Sequence, residues 1–599
     1  IIFSGQSVNP EASVIDNNLN VYVSGYFQGE ITTSSGTVNA TNYDILFAKY
    51  NNDLSINWIK NISGNFYEYL SDVEYDNSYG LFLTGSYYNE CVFNETDTLK
   101  TNGNWDVFLA NFDTTGNLLW RKSIGKGLSK QNQSKISIDN NHNIIGSLVY
   151  EDSVSILDTI VYGSTNGNNT LLYKLDHNGN LVTLNNIIST GNSKLNQVSY
   201  INNSYYFLGS FSDSIIIDSD TIVTNSSSDI LLYKTDFDLN GEWVRRGYGA
   251  SDDAATCVTQ DTYGNIYLSG YFFSNELEVD STNYYKSSTK LNNNGNSDLF
   301  LLKYNKNGEL QWAKSYGEGG QDWGRSIKQK NNILYLTGYF SDQIIFGSDT
   351  LLSSSLDDFD FLLGTFDIDG NKLIAESLTT EGTKDNETGI GLSVTDNNHV
   401  YVTGSFKSDR LIIGDSVYNR QGTKDMFIAR YRPSLSATFS TTQNPICPGS
   451  SNGELMVKAY FGAPPYTYSW SHTDTLADAT AINLPAGDYT VTVTDAVDST
   501  VTIHKTLTEP DPITFNADTT NITGCYGNSN GAIALNPAGG TKPYTFFWST
   551  EDGDGLETTN EDQTGLTAGT YTVQITDDNG WMADTTITLT QPENISFAG

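Results

Sequence analysis

VYVSGYF at residues 21–27 decides how this chain folds. An aliphatic–aromatic run leads into Ser-Gly and closes on an aromatic pair. The pattern returns as LFLTGSY (81–87), YYFLGSF (205–211), IYLSGYF (266–272), LYLTGYF (334–340) and VYVTGSF (400–406). The glycines Gly25, Gly85, Gly209, Gly270, Gly338 and Gly404 are spaced by 60, 124, 61, 68 and 66 residues. The double gap holds a degenerate copy, NIIGSLVY at 143–150, with Leu148 where glycine is expected. Repeats of this length, counted to seven, indicate a repeat architecture.

Each copy sits in a larger unit. A short apolar strand and a polar turn precede it, as in Ser13–Asp16 followed by DNNLN. After it comes an Asp-led alternating strand, then a turn, then a strand that usually carries Trp. Examples are DILFAKY (44–50) with Trp58, DVFLANF (106–112) with Trp120, DILLYKT (229–235) with Trp243 and DLFLLKY (298–304) with Trp312. The copies at 170–175 and 360–366 have Val182 and Leu373 nearby instead, and the seventh is DMFIARY (425–431). Each unit therefore reads as four short strands, A to D. Turns such as DTTGN (113–117) and DIDGN (367–371) place Gly where a hairpin needs positive φ.

Seven four-stranded units predict a radial β-propeller, whose closure leaves only short edges. Unit seven has no D strand after Tyr431, and Ile1–Ser4 reads like the end of one, so the N-terminal strand is expected to close the ring. The Trp position of that strand would precede residue 1, so the polypeptide is expected to begin earlier. Between strands B and C each unit carries a further polar hairpin, for example 29–40, 215–228 and 344–355. Those hairpins should crowd one face of the ring. The paired signatures make residues 1–432 resemble the SBBP repeat family, named for seven-bladed β-propellers.

After Arg432-Pro433 the pattern changes. Cys447-Pro-Gly-Ser-Ser-Asn-Gly453 recurs as Cys525-Tyr-Gly-Asn-Ser-Asn-Gly531. Pro465-Tyr-Thr-Tyr-Ser-Trp470 recurs as Pro543-Tyr-Thr-Phe-Phe-Trp548, and Ala486-Gly-Asp-Tyr489 as Ala568-Gly-Thr-Tyr571. Alternating strands with a buried-type Trp and a Gly-x-Tyr corner predict small Ig-like sandwiches at 433–509 and 510–590. Residues 591–599 open a further one, so more repeats are expected beyond Gly599. These units resemble the SprB repeat of gliding-motility adhesins from Bacteroidetes-type bacteria. The fold class is thus all-β: a seven-bladed propeller followed by tandem sandwiches.

Charge narrows the function. Lys and Arg number 32 against 70 Asp and Glu, for a net charge of −38. Such a surface repels phosphate backbones, so no nucleic-acid partner is expected. No apolar run is long enough to be a transmembrane helix. Four Cys in 599 residues do not make a disulfide scaffold. The five His are scattered, and no HExxH, GxSxG or phosphate-cradling loop occurs. Asp158, Asp220, Asp349 and Asp415 begin Asp-Ser/Thr-aliphatic triplets that resemble an O-glycosylation sequon, with a plain turn as the simpler reading.

The D–A loops share a face with the added hairpins and carry Asp252, Asp253, Asp322, Trp323 and Asp385. As a site they would bind a glycan or a cation at the channel mouth, with Trp323 as a stacking surface. The simpler reading is loop-capping carboxylates that accept backbone N–H bonds. No catalytic residue, resident metal or cofactor is expected, with Ca2+ as the one ion such loops would take. The expected function is a non-enzymatic, exported cell-surface protein in adhesion, gliding motility or fibre formation. Its partners would be a surface glycan or protein, or copies of itself in a fibre or a motility complex. The alternatives are a polysaccharide-processing enzyme on the propeller and a purely structural filament subunit.

Overall fold

The structure, a computed structural model, describes residues 2–595 except 4, 129–133, 218–219, 225–227, 281–287, 347–348, 354–357, 382–385, 397, 414–415 and 474–476. Two units are distinct, Ile1–Pro433 and Ser434–Gly599.

In the first unit the signature strand is strand B of every blade. Blade one runs Ser7–Ile15, Val21–Thr33, Gly36–Tyr50 and Ile56–Ile62, paired antiparallel in that order. Six further four-stranded sets follow the same order. Their A strands touch one another in a closed cycle, with the first strand of blade seven, Thr388–Val394, against Ser7–Ile15. The outer strand of blade seven comes from the other end of the sequence: Ile2 pairs with Phe427 and Phe3 with Met426.

The Ser/Thr-Gly signature has a steric cause. In six blades strand A carries a β-bulge opposite the signature glycine, with Glu11, Ser71, Asn196, Thr256, Arg325 or Ile390 as the extra residue. The bulge pushes a strand-A carbonyl at the glycine. A Cβ on Gly25 would stand 2.1 Å from the Asn9 oxygen, and one on Gly338 would stand 1.9 Å from the Trp323 oxygen. The preceding hydroxyl turns to the other neighbour: Thr84, Ser269 and Thr337 donate to the Phe108, Phe300 and Leu362 carbonyls at 2.8–2.9 Å. In blade three, where Leu148 replaces glycine, the described pairing of 134–138 with 144–148 has no bulge.

Blades lock through strand D. Trp58, Trp120 and Trp312 donate their indole N–H to carbonyls in the C–D turn of the next blade, those of Thr114, His177 and Ile368. Their rings cover the turn glycines Gly116, Gly179 and Gly370, where a Cβ would stand about 3 Å from ring carbons. The Trp register position in blades three and six holds Thr183 and Ile374. Opposite Thr183 the next turn carries Leu239 in place of glycine; its side chain is fully buried and its φ is 65°. Leu239 thus occupies the kind of space that tryptophan fills elsewhere, at the price of a left-handed backbone.

The added hairpins are also structural. Four of them pair with the edge of the preceding blade: Ser155 with Lys126, Ile216 with Ile188, Val279 with Gly247, and Leu411 with Thr380. They cover edges that would otherwise offer unpaired backbone groups.

In the second unit each repeat is a pair of three-stranded sheets. Trp470 and Trp548 are buried between them. The Tyr489 and Tyr571 hydroxyls donate to the carbonyls of Pro485 and Thr567, each at 2.7 Å, which makes both tyrosine corners. All four cysteines are free.

Candidate functional site: the axial channel and its mouth

The bulges that demand the signature glycines also build the channel. A bulge re-aims the side chain of its extra residue, and Glu11, Asn196, Thr256, Arg325 and Ile390 all line an axial cavity of about 380 Å3. Some of these side chains tie neighbouring blades: Asn196 donates to the Ala255 carbonyl at 2.8 Å and Thr256 to the Gly324 carbonyl at 2.5 Å. Asp72, Glu74, Lys135 and Lys328 add charge from regular strand-A positions. Burial raises the pKa of Glu11 and Asp72, and it raises that of Glu74 to about 8, helped by the Asp72 charge. Asp72 is held by the amides of Val73 and Ile136, both at 3.1 Å.

Above the channel, on the hairpin face, lies a cavity of about 950 Å3. Three tyrosines form one wall. Tyr26 meets Tyr43 and Tyr69 edge-on, with ring centroids 5.5 and 5.1 Å away. Tyr69 extends the wall to Trp105 at 5.8 Å and to the exposed Tyr67 at 6.3 Å. Three cations, Lys407, Arg420 and Lys424, all from blade seven, also line the cavity, with Asp358 as the one acid. Arg420 is anchored by the Ser408 carbonyl at 3.2 Å and the Asp409 carboxylate at 3.1 Å. Burial pulls the Lys424 pKa down to about 8, with the like charges of Lys407 and Arg325 adding to the effect and Glu11 opposing it. In a chain of net charge −38, cations crowded into one cavity form a local charge conflict that an anion would relieve.

The residues expected from sequence go elsewhere. Asp253 and Asp322 are fully buried, and neither lines the channel or the mouth cavity. Asp253 caps the start of a hairpin, accepting from the Phe273 and Ser274 amides and the Ser274 hydroxyl. Asp252 is exposed. Trp323 lies flat on Tyr271 at 3.6 Å, is tilted over Tyr339 at 5.3 Å, and donates to the Ser297 hydroxyl at 2.9 Å. Its ring is therefore largely taken by protein. Asp385, like Asp415, lies outside the described residues. The mouth was missed because its cations, Lys407, Arg420 and Lys424, lie more than 330 residues from Tyr26, Tyr43 and Tyr69 in the sequence; only Tyr26, next to its signature glycine, was visible as a repeated aromatic.

Nucleophiles are scarce here. Cys257 is buried with its pKa raised to about 12, and Cys91 is buried with its own raised as well. His142 sits at a turn with Nδ1 2.7 Å from Asp76. Among the described residues no three His, Cys, Asp or Glu side chains are grouped to hold a metal.

Residues 439–475 and 516–553 match the SprB repeat family. The match falls within the two sandwiches and covers about half of each; the SBBP resemblance rests on the blade signatures alone. A comparison with curated proteins gives no match. Among solved structures the chain is similar to virginiamycin B lyase from Staphylococcus aureus, at 7% identity over 71% of this chain and 97% of that one, TM-score 0.34. It is also similar to a protein of unknown function from Bacteroides caccae, at 10% identity over 55% and 89%, TM-score 0.29. Likenesses this distant carry no information on activity. No helix is long and apolar enough to cross a membrane among the described residues.

Proposed function

We propose that the chain is a non-enzymatic binding protein of the bacterial cell surface, with the propeller as the binding unit and the sandwich repeats as spacers. The SprB match supports the surface and adhesin-like part of this reading. The observation that carries the binding part is the mouth cavity, which Tyr26, Tyr43 and Tyr69 line together with Lys407, Arg420 and Lys424. Aromatic faces stack on sugar rings, and fixed cations select carboxylate or sulfate groups. The ligand class is therefore an acidic polysaccharide, and the setting is adhesion or gliding.

The test is binding of the whole chain to a panel of neutral, uronate-bearing and sulfated polysaccharides. Binding should favour the acidic members, weaken with salt, and fall at least tenfold in Lys424→Met and in Tyr69→Ala. Equal binding to neutral members, or no loss in either variant, overturns the reading. A second reading, polysaccharide cleavage, draws on the raised carboxyls Glu11, Asp72 and Glu74 in the channel. Release of reducing ends that disappears in Glu74→Gln would favour it over binding alone.

A further inference from the structure

Where one blade meets the next, two carboxyls come together in the protein interior. One is the Asp that opens strand C, and the other is the acid near the start of the following strand A. Asp44 meets Glu68, Asp229 meets Asp253, and Asp298 meets Asp322, each pair close enough for one charge to act on the other. Glu387 takes the same place beside Asp360, since its amide bonds to the Phe359 carbonyl at 2.6 Å. All eight side chains are at most 4% exposed.

The chain satisfies these acids differently from one boundary to another. In blade five the hairpin opens on Ser274, whose amide at 3.1 Å and hydroxyl at 2.7 Å both serve Asp253. In blade seven it opens on Ser408, whose amide serves Glu387 at 3.2 Å. In blades two and six the equivalent residues are Asn89 and Asp342, with φ of 69° and 61°. There neither oxygen of Glu68 and neither oxygen of Asp322 has a hydrogen bond, and Oδ1 of Asp44 and of Asp298 also lacks one. The surrounding charges do not help. Glu68 feels the like charges of Asp44 and Glu90, and Asp322 those of Asp298, Asp342 and Glu318, which the nearby Glu318 amide offsets only in part. A buried, unpaired carboxylate pair cannot stay ionised without a counter-charge.

In both places oxygens of separate segments come together. Each faces a glycine of the D–A loop. A Cβ on Gly64 would stand 2.2 Å from Glu68 Oε1 and 2.3 Å from the Glu90 carbonyl oxygen. One on Gly317 would stand 2.4 Å from Asp298 Oδ1 and 2.6 Å from Asp322 Oδ2. Oxygens from separate segments thus converge within a few ångströms of one another beside a glycine, where any larger residue would displace them. The donors are carboxylate and carbonyl oxygens without imidazole. That set suits a hard divalent ion that tolerates irregular geometry and completes its shell with water, as calcium does and the strictly octahedral magnesium does not.

We propose that the boundaries between blades one and two and between blades five and six are calcium sites. Asp44, Glu68 and the Glu90 carbonyl form the first, and Asp298 and Asp322 form the second, with Glu318 and Asp342 at its rim. The ion joins adjacent blades where Ser274 and Ser408 do so elsewhere. This inference is independent of the polysaccharide reading.

The experiment is calcium titration of the whole chain after chelation, by equilibrium dialysis and by thermal unfolding. Two ions should bind the unaltered protein, chelator should lower the propeller midpoint, and calcium rather than magnesium should restore it. Glu68→Gln and Asp322→Asn should each lose one ion, and the pair should lose both. No calcium bound by the unaltered protein, with a midpoint indifferent to chelator, overturns the proposal. Calcium retained by the folded double variant overturns the placement. Dialysis of the unaltered protein counts ions without any variant, so a misfolded substitution does not block the test.

Discussion

Gly270→Ala is expected to destabilise the propeller through one contact. Gly270 sits opposite the bulge of strand A in blade five, paired with Ala255 while Cys257 pairs with Ser269. A Cβ there would stand 2.1 Å from the Ala254 carbonyl oxygen and 2.8 Å from Ala255 Cα. Real Cβ atoms essentially never come within 3.0 Å of another heavy atom, so a backbone oxygen must retreat by nearly an ångström. Its retreat flattens the bulge and pulls Thr256 from the Gly324 carbonyl. Overpacking of this kind costs about 1–3 kcal/mol, and a lost hydrogen bond about 1 kcal/mol. The sum is about 3 kcal/mol, read as a lower urea midpoint for the propeller transition of the whole chain. Blade three supplies the control, because Leu148 stands there with no bulge. Deleting Thr256 from the Gly270→Ala protein removes the bulge while every other A–B pair keeps its partner, so part of the loss should return. A Gly270→Ala protein within about 0.5 kcal/mol of the original, the scatter of an ordinary surface substitution, would refute the steric account.

Removing residues 1–6 should lower the propeller midpoint and promote self-association seen by light scattering. It strips the outer partner from Asp425–Tyr431 and the Gln6 bonds to Gln28 and Thr423, and an unchanged, monomeric protein would disprove the closure. The second prediction is a pH dependence in the presence of chelator. Burial raises Asp253 to about 7 and Glu68 to about 8, above ordinary values near 3.9 and 4.3. The folded state therefore holds protons that the unfolded state has released, so this stability is complete below about pH 4 and is lost as pH rises through about 7–8. Thermal midpoints from pH 5 to 9 should fall, Glu68→Gln should fall less steeply, and a rising profile would contradict the sign.

Much of the ring was legible because its signals are local. The strand pattern has period two, the Asp-Asn turns cap themselves, and the closing strand betrayed itself by a missing one. Asp16 illustrates the turn: its carboxylate accepts the Asn18 and Asn20 amides at 2.9 Å, all within five residues. The candidate site was far less legible. Asp253 and Asp322 were read as loop residues near an opening. In the structure both are the first residues of strand A, fully buried at the boundary with the preceding blade. The binding alternative made Trp323 a platform, yet Tyr271, more than fifty residues away, covers it.

The sequence by itself determined the number and order of the strands, the two kinds of domain, and the glycine in each signature. These follow from repeats, side-chain alternation and turn chemistry, which act over a few residues. Only the tertiary structure decided why that glycine is required, since the reason is the carbonyl of a different strand. It also decided that Leu239 answers for an absent tryptophan in the blade before it. The cations of blade seven share a cavity with the tyrosines of blades one and two only because the ring closes, bringing Lys424 to Tyr69 across more than 350 residues of chain. Paired acids such as Asp298 and Asp322 become neighbours only at a blade boundary, where burial removes the water that would have screened them.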